Sequence, residues 1–111
     1  MRRRVEAKDG EERSVGRVSA ESVVCRSETQ MSTTLEDEVV ALHLTRNSFY
    51  TMDLVGSRIW AIIEMPARVT AVVDSLLEEY EVASSLCTQE VIEFLERLRS
   101  LDLVTIVASE A

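Results

Sequence analysis

The order of patterned segments along this chain predicts an α+β domain, with short strands first, then three helices, then one more strand. Three observations carry that expectation. Residues 38–44, EVVALHL, alternate with period two, and a polar turn leads to a second extended run, FYTM at 49–52. Residues 69–80 place apolar side chains at helical spacing. Residues 103–107, LVTIV, return to β-branched composition after the last helical stripe. At 111 residues with 46% hydrophobic and 5% aromatic content, the chain forms one domain around an aliphatic core. Three Gly and one Pro leave room for few long loops.

Residues 1–20 are polar, lack apolar periodicity and read as a disordered N-terminal extension, with RRR at 2–4 hinting at a basic docking arm. The domain proper is expected over 21–108, followed by a tail at 109–111. SVVCR at 22–26 is short and β-branched, and STT at 32–34 is a second short extended piece before the turn-like EDE at 36–38. In 38–44, Val40, Leu42 and Leu44 share one face and Val39, Ala41 and His43 the other. TRNS at 45–48 is a turn by composition, so 38–52 makes a hairpin and 22–34 supplies a third strand.

Asp53 is placed to cap the helix that follows, its carboxylate accepting from a free amide of the first turn. Val55, Ile59, Ile62 and Ile63 form that helix's stripe, flanked by Trp60, and Pro66 ends it. Gly56 sits one turn in, where glycine costs about 1 kcal/mol against alanine. It predicts a close approach of this helix to the sheet. Val69, Val72, Val73, Leu76, Leu77 and Tyr80 define the second helix, with Asp74, Glu78, Glu79 and Glu81 off the stripe. Ser84 and Ser85 are positioned to cap a third helix over about 86–101, striped by Cys87, Val91, Phe94, Leu95, Leu98 and Leu101. LVTIV then closes the sheet. Three helices with a small antiparallel sheet give the outline of a winged helix-turn-helix.

Charge separates the two parts. Residues 1–17 carry six Lys/Arg and four Asp/Glu, a net of +2, so a total of −8 leaves −10 on residues 18–111. Such a body repels a phosphate backbone, which argues against nucleic acid as a partner and favours one with some positive charge. No run of eighteen apolar residues is present, so no membrane span is expected. The charged start MRRRVEAKDGEER lacks the apolar core of a signal peptide, which points to the cytoplasm. Cys25 and Cys87 are far apart, form no CxxC and are expected to be free thiols.

Signals for chemistry are weak. His43 is the single histidine and cannot build a zinc site alone, so it reads as structural or as a surface residue. Neither cysteine has a basic neighbour that would make it a thiolate nucleophile. GSR at 56–58 is no nucleophile elbow, and no phosphate loop or HExxH occurs. EEYE at 78–81 lacks the ligand alternation of a calcium loop and reads as a solvated helix face. No cofactor, metal or catalytic residue is expected. A binding module remains, with two candidate surfaces. Strand 48–52 lies at a sheet edge, where unpaired main-chain groups accept another strand. The third helix, around Phe94, offers apolar contacts beside it.

The runs ALHLTRNSFYTMDLVGSRIWAIIEMP, then V…LLEEYEV, then C…VIEFLERL…LV resemble the PqqD-like family of small peptide-recognition domains, which serve the biosynthesis of ribosomally made, modified peptides. The resemblance covers about 20–107 and is closest to the free-standing members of lasso-peptide pathways. Its most specific part is a Tyr-containing strand, an Asp or Asn cap, then V-G-S-R-I-W. It implies a three-stranded antiparallel sheet packed on three helices and no catalysis. It implies that a precursor's leader peptide adds as a strand to the hairpin's second strand and packs on the third helix. Carried over by position, the strand surface is Ser48, Phe49, Tyr50, Thr51 and Met52, and the helix surface is Glu90, Val91, Phe94 and Arg97. The partners implied are the leader peptide, a separate transglutaminase-like cysteine leader peptidase and the macrolactam-forming cyclase that acts afterwards. Arg68 stands where many relatives have a capping Thr, and Asp102 where they often have Gly. The N-terminal extension has no counterpart in the family pattern. Two other readings fit the outline: a winged-helix DNA-binding or transcription-regulating protein, and an adaptor docking a partner enzyme through its acidic helices.

Overall fold

The computed structural model describes residues 5–7 and 18–109 of the chain. The elements run β1 (Val5–Ala7), β2 (Ser22–Arg26), β3 (Gln30–Leu35), β4 (Glu38–His43), β5 (Ser48–Met52), α1 (Leu54–Ile62), β6 (Ala67–Arg68), α2 (Val69–Glu79), α3 (Ser84–Ser100) and β7 (Val104–Ser109). The expected α+β order and the three helices are all present. The expected single sheet is two: a four-stranded antiparallel sheet in the order β1-β5-β4-β3 and a three-stranded one in the order β6-β2-β7. The expectation of a disordered extension over 1–20 falls mostly outside the described residues, but Val5–Ala7 within it form β1.

The split into two sheets has a local cause. Asp102, at the end of α3, takes a left-handed backbone (φ 65°) that turns the chain sharply. Ser27 seizes that corner: its amide donates to the Leu103 carbonyl at 2.9 Å and its hydroxyl to the Asp102 carbonyl at 3.0 Å. The corner therefore lays β7 along β2 rather than along the hairpin, and 22–26 and 103–107 do not join the sheet they were expected to complete. The strands paired with the hairpin are β3, along β4, and β1, along β5. A two-residue turn, Glu36 and Asp37 with φ of 51° and 71°, joins β3 to β4. Positive φ at both turn positions matches the right-handed twist of the strands.

The helices form for the expected reasons, with two differences at their starts. Asp53 caps α1, its Oδ1 accepting from the Gly56 amide at 2.7 Å. No side chain caps α2 at Arg68, in keeping with the absence of the capping Thr. Neither Ser84 nor Ser85 caps α3: the helix already begins at Ser84, behind an extended Ala83 that offers no side-chain acceptor. The stripe Cys87, Val91, Phe94, Leu95, Leu98 and Leu101 is buried throughout. Trp60, expected to flank its stripe, is itself core and 1% exposed. Its ring Nε1 donates to Ser32 Oγ on β3, while the Arg26 guanidinium lies 4.8 Å from the ring and donates to the Trp60 carbonyl. That cluster ties α1 to both sheets.

Candidate functional site

The strand expected to carry the site is β5, and its side chains divide by parity. Ser48, Tyr50 and Met52 point into the core, while Phe49 is exposed and Thr51 half-buried. Strand–strand recognition, however, runs through the main chain, so the direction of each amide matters more. Ser57, on α1, settles that direction. Its hydroxyl accepts from the Val39 amide at 2.8 Å and donates to the Met52 carbonyl at 3.2 Å. The Met52 carbonyl therefore faces β4. Main-chain groups alternate sides along a strand, so those of Ser48 and Tyr50 also face β4, and those of Phe49 and Thr51 face the outer edge. The Leu44 amide, which reaches the Thr29 carbonyl at 2.8 Å on the β3 side, fits the same alternation across β4.

The expectation that strand 48–52 lies at a sheet edge is not met: its outer side carries β1, which makes β5 an inner strand of the four-stranded sheet. The pairs are antiparallel, Val5 with Met52, Glu6 with Thr51 and Ala7 with Tyr50. Because Thr51 presents its amide and carbonyl outward, Glu6 and Thr51 form the pair that exchanges main-chain hydrogen bonds. β1 also lies against α3, so β5 and the helix both border the slot that holds this extended segment.

The helix wall is less exposed than its sequence suggests. Val91 is fully buried and Phe94 only 3% exposed, whereas Glu90 and Arg97, one turn to either side, are half-buried. One oxygen of Glu90, Oε1, is covered and has no hydrogen-bond partner, and the same holds for the Tyr50 hydroxyl. Phe94 also explains Gly56. A Cβ on Gly56 would lie 2.9 Å from Phe94 Cζ and 2.9 Å from Asp53 Oδ1. The glycine admits the α3 phenyl ring and the capping carboxylate, not the sheet as expected. Ser57 is a site residue that motif patterns do not reveal, since GSR matches no chemical motif. Its signal was a hydroxyl five residues past a strand end, on the helix face that returns over the hairpin.

The remaining candidates are structural. His43 Nδ1 accepts from the amides of Thr45 and Arg46 at 3.3 and 3.2 Å, which leaves the proton on Nε2 to be donated to Asp102 Oδ2 at 3.0 Å. Both ring nitrogens are spent on holding the 44–47 turn to the corner after α3. Burial pushes the Asp102 carboxyl up, but hydrogen bonds from His43 and Thr29, with Arg46 nearby, outweigh it and hold the group below the ordinary aspartate range. Cys25 and Cys87 form no disulfide. Among the described residues no group of three or more His, Cys, Asp or Glu could hold a metal ion, and no helix is long and apolar enough to cross a membrane. A cleft of about 390 Å³ opens on the other side of α1, between Leu54, Arg58, Tyr80 and the β3–β4 turn, and includes none of the expected site residues.

Comparison with known proteins agrees with this fold. Residues 38–104 match the family model described as coenzyme PQQ synthesis protein D (PqqD). Among solved structures, TbiB1 in complex with the TbiA(beta) leader peptide is similar with a TM-score of 0.72 and 33% identity, over 77% of this chain and 99% of that one. No curated protein matches. Neither finding supports nucleic-acid binding, and α3 sets Glu90, Glu93 and Glu96 against Arg97 and Arg99.

Proposed function

The chain belongs to the PqqD family, and on that footing we propose that it recognises the leader segment of a ribosomally made precursor peptide of the lasso type, without itself catalysing a reaction. The observation that carries this reading is the outward main chain of Phe49 and Thr51, on a strand that accepts an antiparallel partner beside α3. The solved likeness to TbiB1 is a complex with a leader peptide, which supports a peptide as the ligand. In this assignment β5 from Ser48 to Met52 supplies the ladder, with Phe49 and Thr51 bonding the guest and Tyr50 and Met52 fixing the strand from below. Glu90 and Arg97 supply polar contacts from the helix, Glu90 Oε1 being an acceptor still to be filled. Val91 and Phe94 form the slot's floor. The bound leader would then be presented, in the cytoplasm, to a transglutaminase-like cysteine peptidase and afterwards to a macrolactam-forming cyclase.

A dissociation constant of about 1 μM requires about −8 kcal/mol, within reach of a short ladder plus a few buried side-chain anchors. The test is titration of fluorescently labelled leader peptides, that of TbiA(beta) and those of short precursor frames beside the gene, into the wild-type chain and Thr51→Pro. Proline removes the outward amide and leaves the ladder to β4 intact, because Thr51 does not bond β4. Binding should weaken at least about tenfold with an unchanged circular-dichroism spectrum. Equal affinity in the two proteins removes the edge from the site.

A further inference from the structure

We infer that the N-terminal segment is an intramolecular plug of the peptide slot, so that a guest strand binds by displacing the chain's own β1. The inference rests on the reading of β5 as a peptide edge and adds to it a regulation that lies outside the family match, which begins only at residue 38.

Four observations converge. First, β1 pairs with Tyr50, Thr51 and Met52, the same main-chain edge a guest would use, and an edge can be paired by one strand at a time. Second, the extension is anchored again where the domain begins: the Val18 amide donates to Glu96 Oε1 on α3 at 3.1 Å. Ten residues, 8–17, separate these two attachment points along the sequence. Third, so short a tether holds β1 near its site at an effective concentration on the order of millimolar, enough for a segment of modest intrinsic affinity to stay seated. Fourth, residues 1–17 carry a net +2 against −10 on the rest, with Arg2, Arg3 and Arg4 immediately before the strand, so the domain's field draws the plug toward it.

The plug is built to yield. Among the described residues it pairs over three, whereas β5 offers five. Through the alternation derived above, Glu6 is the one residue among these three that makes reciprocal main-chain bonds, with Thr51. A longer guest completes the ladder and replaces it. The consequence is a threshold: the affinity of any guest is reduced by the fraction of molecules whose slot is closed, about tenfold for a slot open in one molecule of ten.

The test uses the full chain and its Glu6→Pro variant, whose substitution lies ahead of the span 38–104 that matches the family. The first readout is hydrogen–deuterium exchange at the Phe49 and Thr51 amides. The second is binding in trans of a labelled synthetic peptide covering residues 1–12 of this chain, which needs no knowledge of the leader. Exchange at Thr51 should quicken about tenfold in Glu6→Pro, the peptide should bind that variant about tenfold tighter than wild type, and wild-type protection should survive dilution. Equal exchange and equal peptide binding in the two proteins overturns the plug. Protection that disappears on dilution also overturns it, assigning the strand to a second copy. A plug that passes while every leader peptide fails in the Thr51→Pro assay leaves the plug standing and removes the leader reading, so the two failures are separate.

Discussion

Gly56 and Asp102 show how single positions hold the slot's walls. At Gly56 an alanine would gain about 1 kcal/mol of helix propensity. Its methyl, however, would sit 2.9 Å from a buried phenyl carbon of Phe94 and from the capping oxygen of Asp53. The ring is enclosed and the carboxylate is bonded to the Gly56 amide, so relief means shifting α3 or giving up the cap. Overpacking of this kind costs about 1–3 kcal/mol. Gly56→Ala should therefore lower the urea midpoint rather than raise it, and a raised midpoint would show that the α1–α3 contact is loose. The same burial makes Phe94→Asp a probe of folding, not of binding. At Asp102 the sign follows from its depressed carboxyl. A group held below its unfolded value contributes stability above the ordinary aspartate range and loses it as pH falls through the folded value. Asp102→Asn keeps a side chain that tolerates positive φ and removes the titration. Thermal melts of wild type should fall more steeply than those of Asp102→Asn as pH drops through and below the ordinary aspartate range, modestly because the side chain is half exposed. Parallel melting curves would mean the His43–Asp102 bond adds nothing.

Among the elements, β5 is the one whose function depends on its neighbours' hydrogen bonds, and Thr51→Pro is the prediction that belongs to this scale. It separates edge from ladder only because Ser57 fixes which amides face outward. The hairpin, the helical stripes and the Asp53 cap were legible in the sequence, since period-two and helical spacing report which face of an element is buried. The pairing of strands was not. SVVCR and LVTIV are locally as compatible with the hairpin's sheet as with each other, and the Asp102 corner that joins them is a contact 75 residues distant from Ser27. The strand half of the candidate site is proposed from backbone position and from the resemblance to a family pattern. The helix half was legible only as a stripe, because a single apolar periodicity serves the core and a groove alike. β1 was illegible: a polar, charged segment carries no periodic signal, and its placement comes from an edge far along the chain.

Over the whole molecule the dominant asymmetry is electrical, an acidic domain with a mildly basic extension. Two forces hold that extension in the slot, and salt tells them apart. Main-chain pairing is short-ranged and nearly indifferent to ionic strength. The attraction of a +2 segment to a −10 body acts over several ångströms of solvent. The screening length falls from about 10 Å at 0.1 M to about 3 Å at 1 M, so raising sodium chloride across that range removes most of the second and leaves the first. Thr51 exchange in the wild-type chain should therefore rise a few-fold, short of the opened level of Glu6→Pro, and in Glu6→Pro it should not change. An equal rise in both proteins would mean that salt loosens β5 itself. A flat wild-type response would mean that pairing alone seats β1. The same field acts on any guest, so a basic leader starts with the advantage the plug enjoys and an acidic one must overcome it.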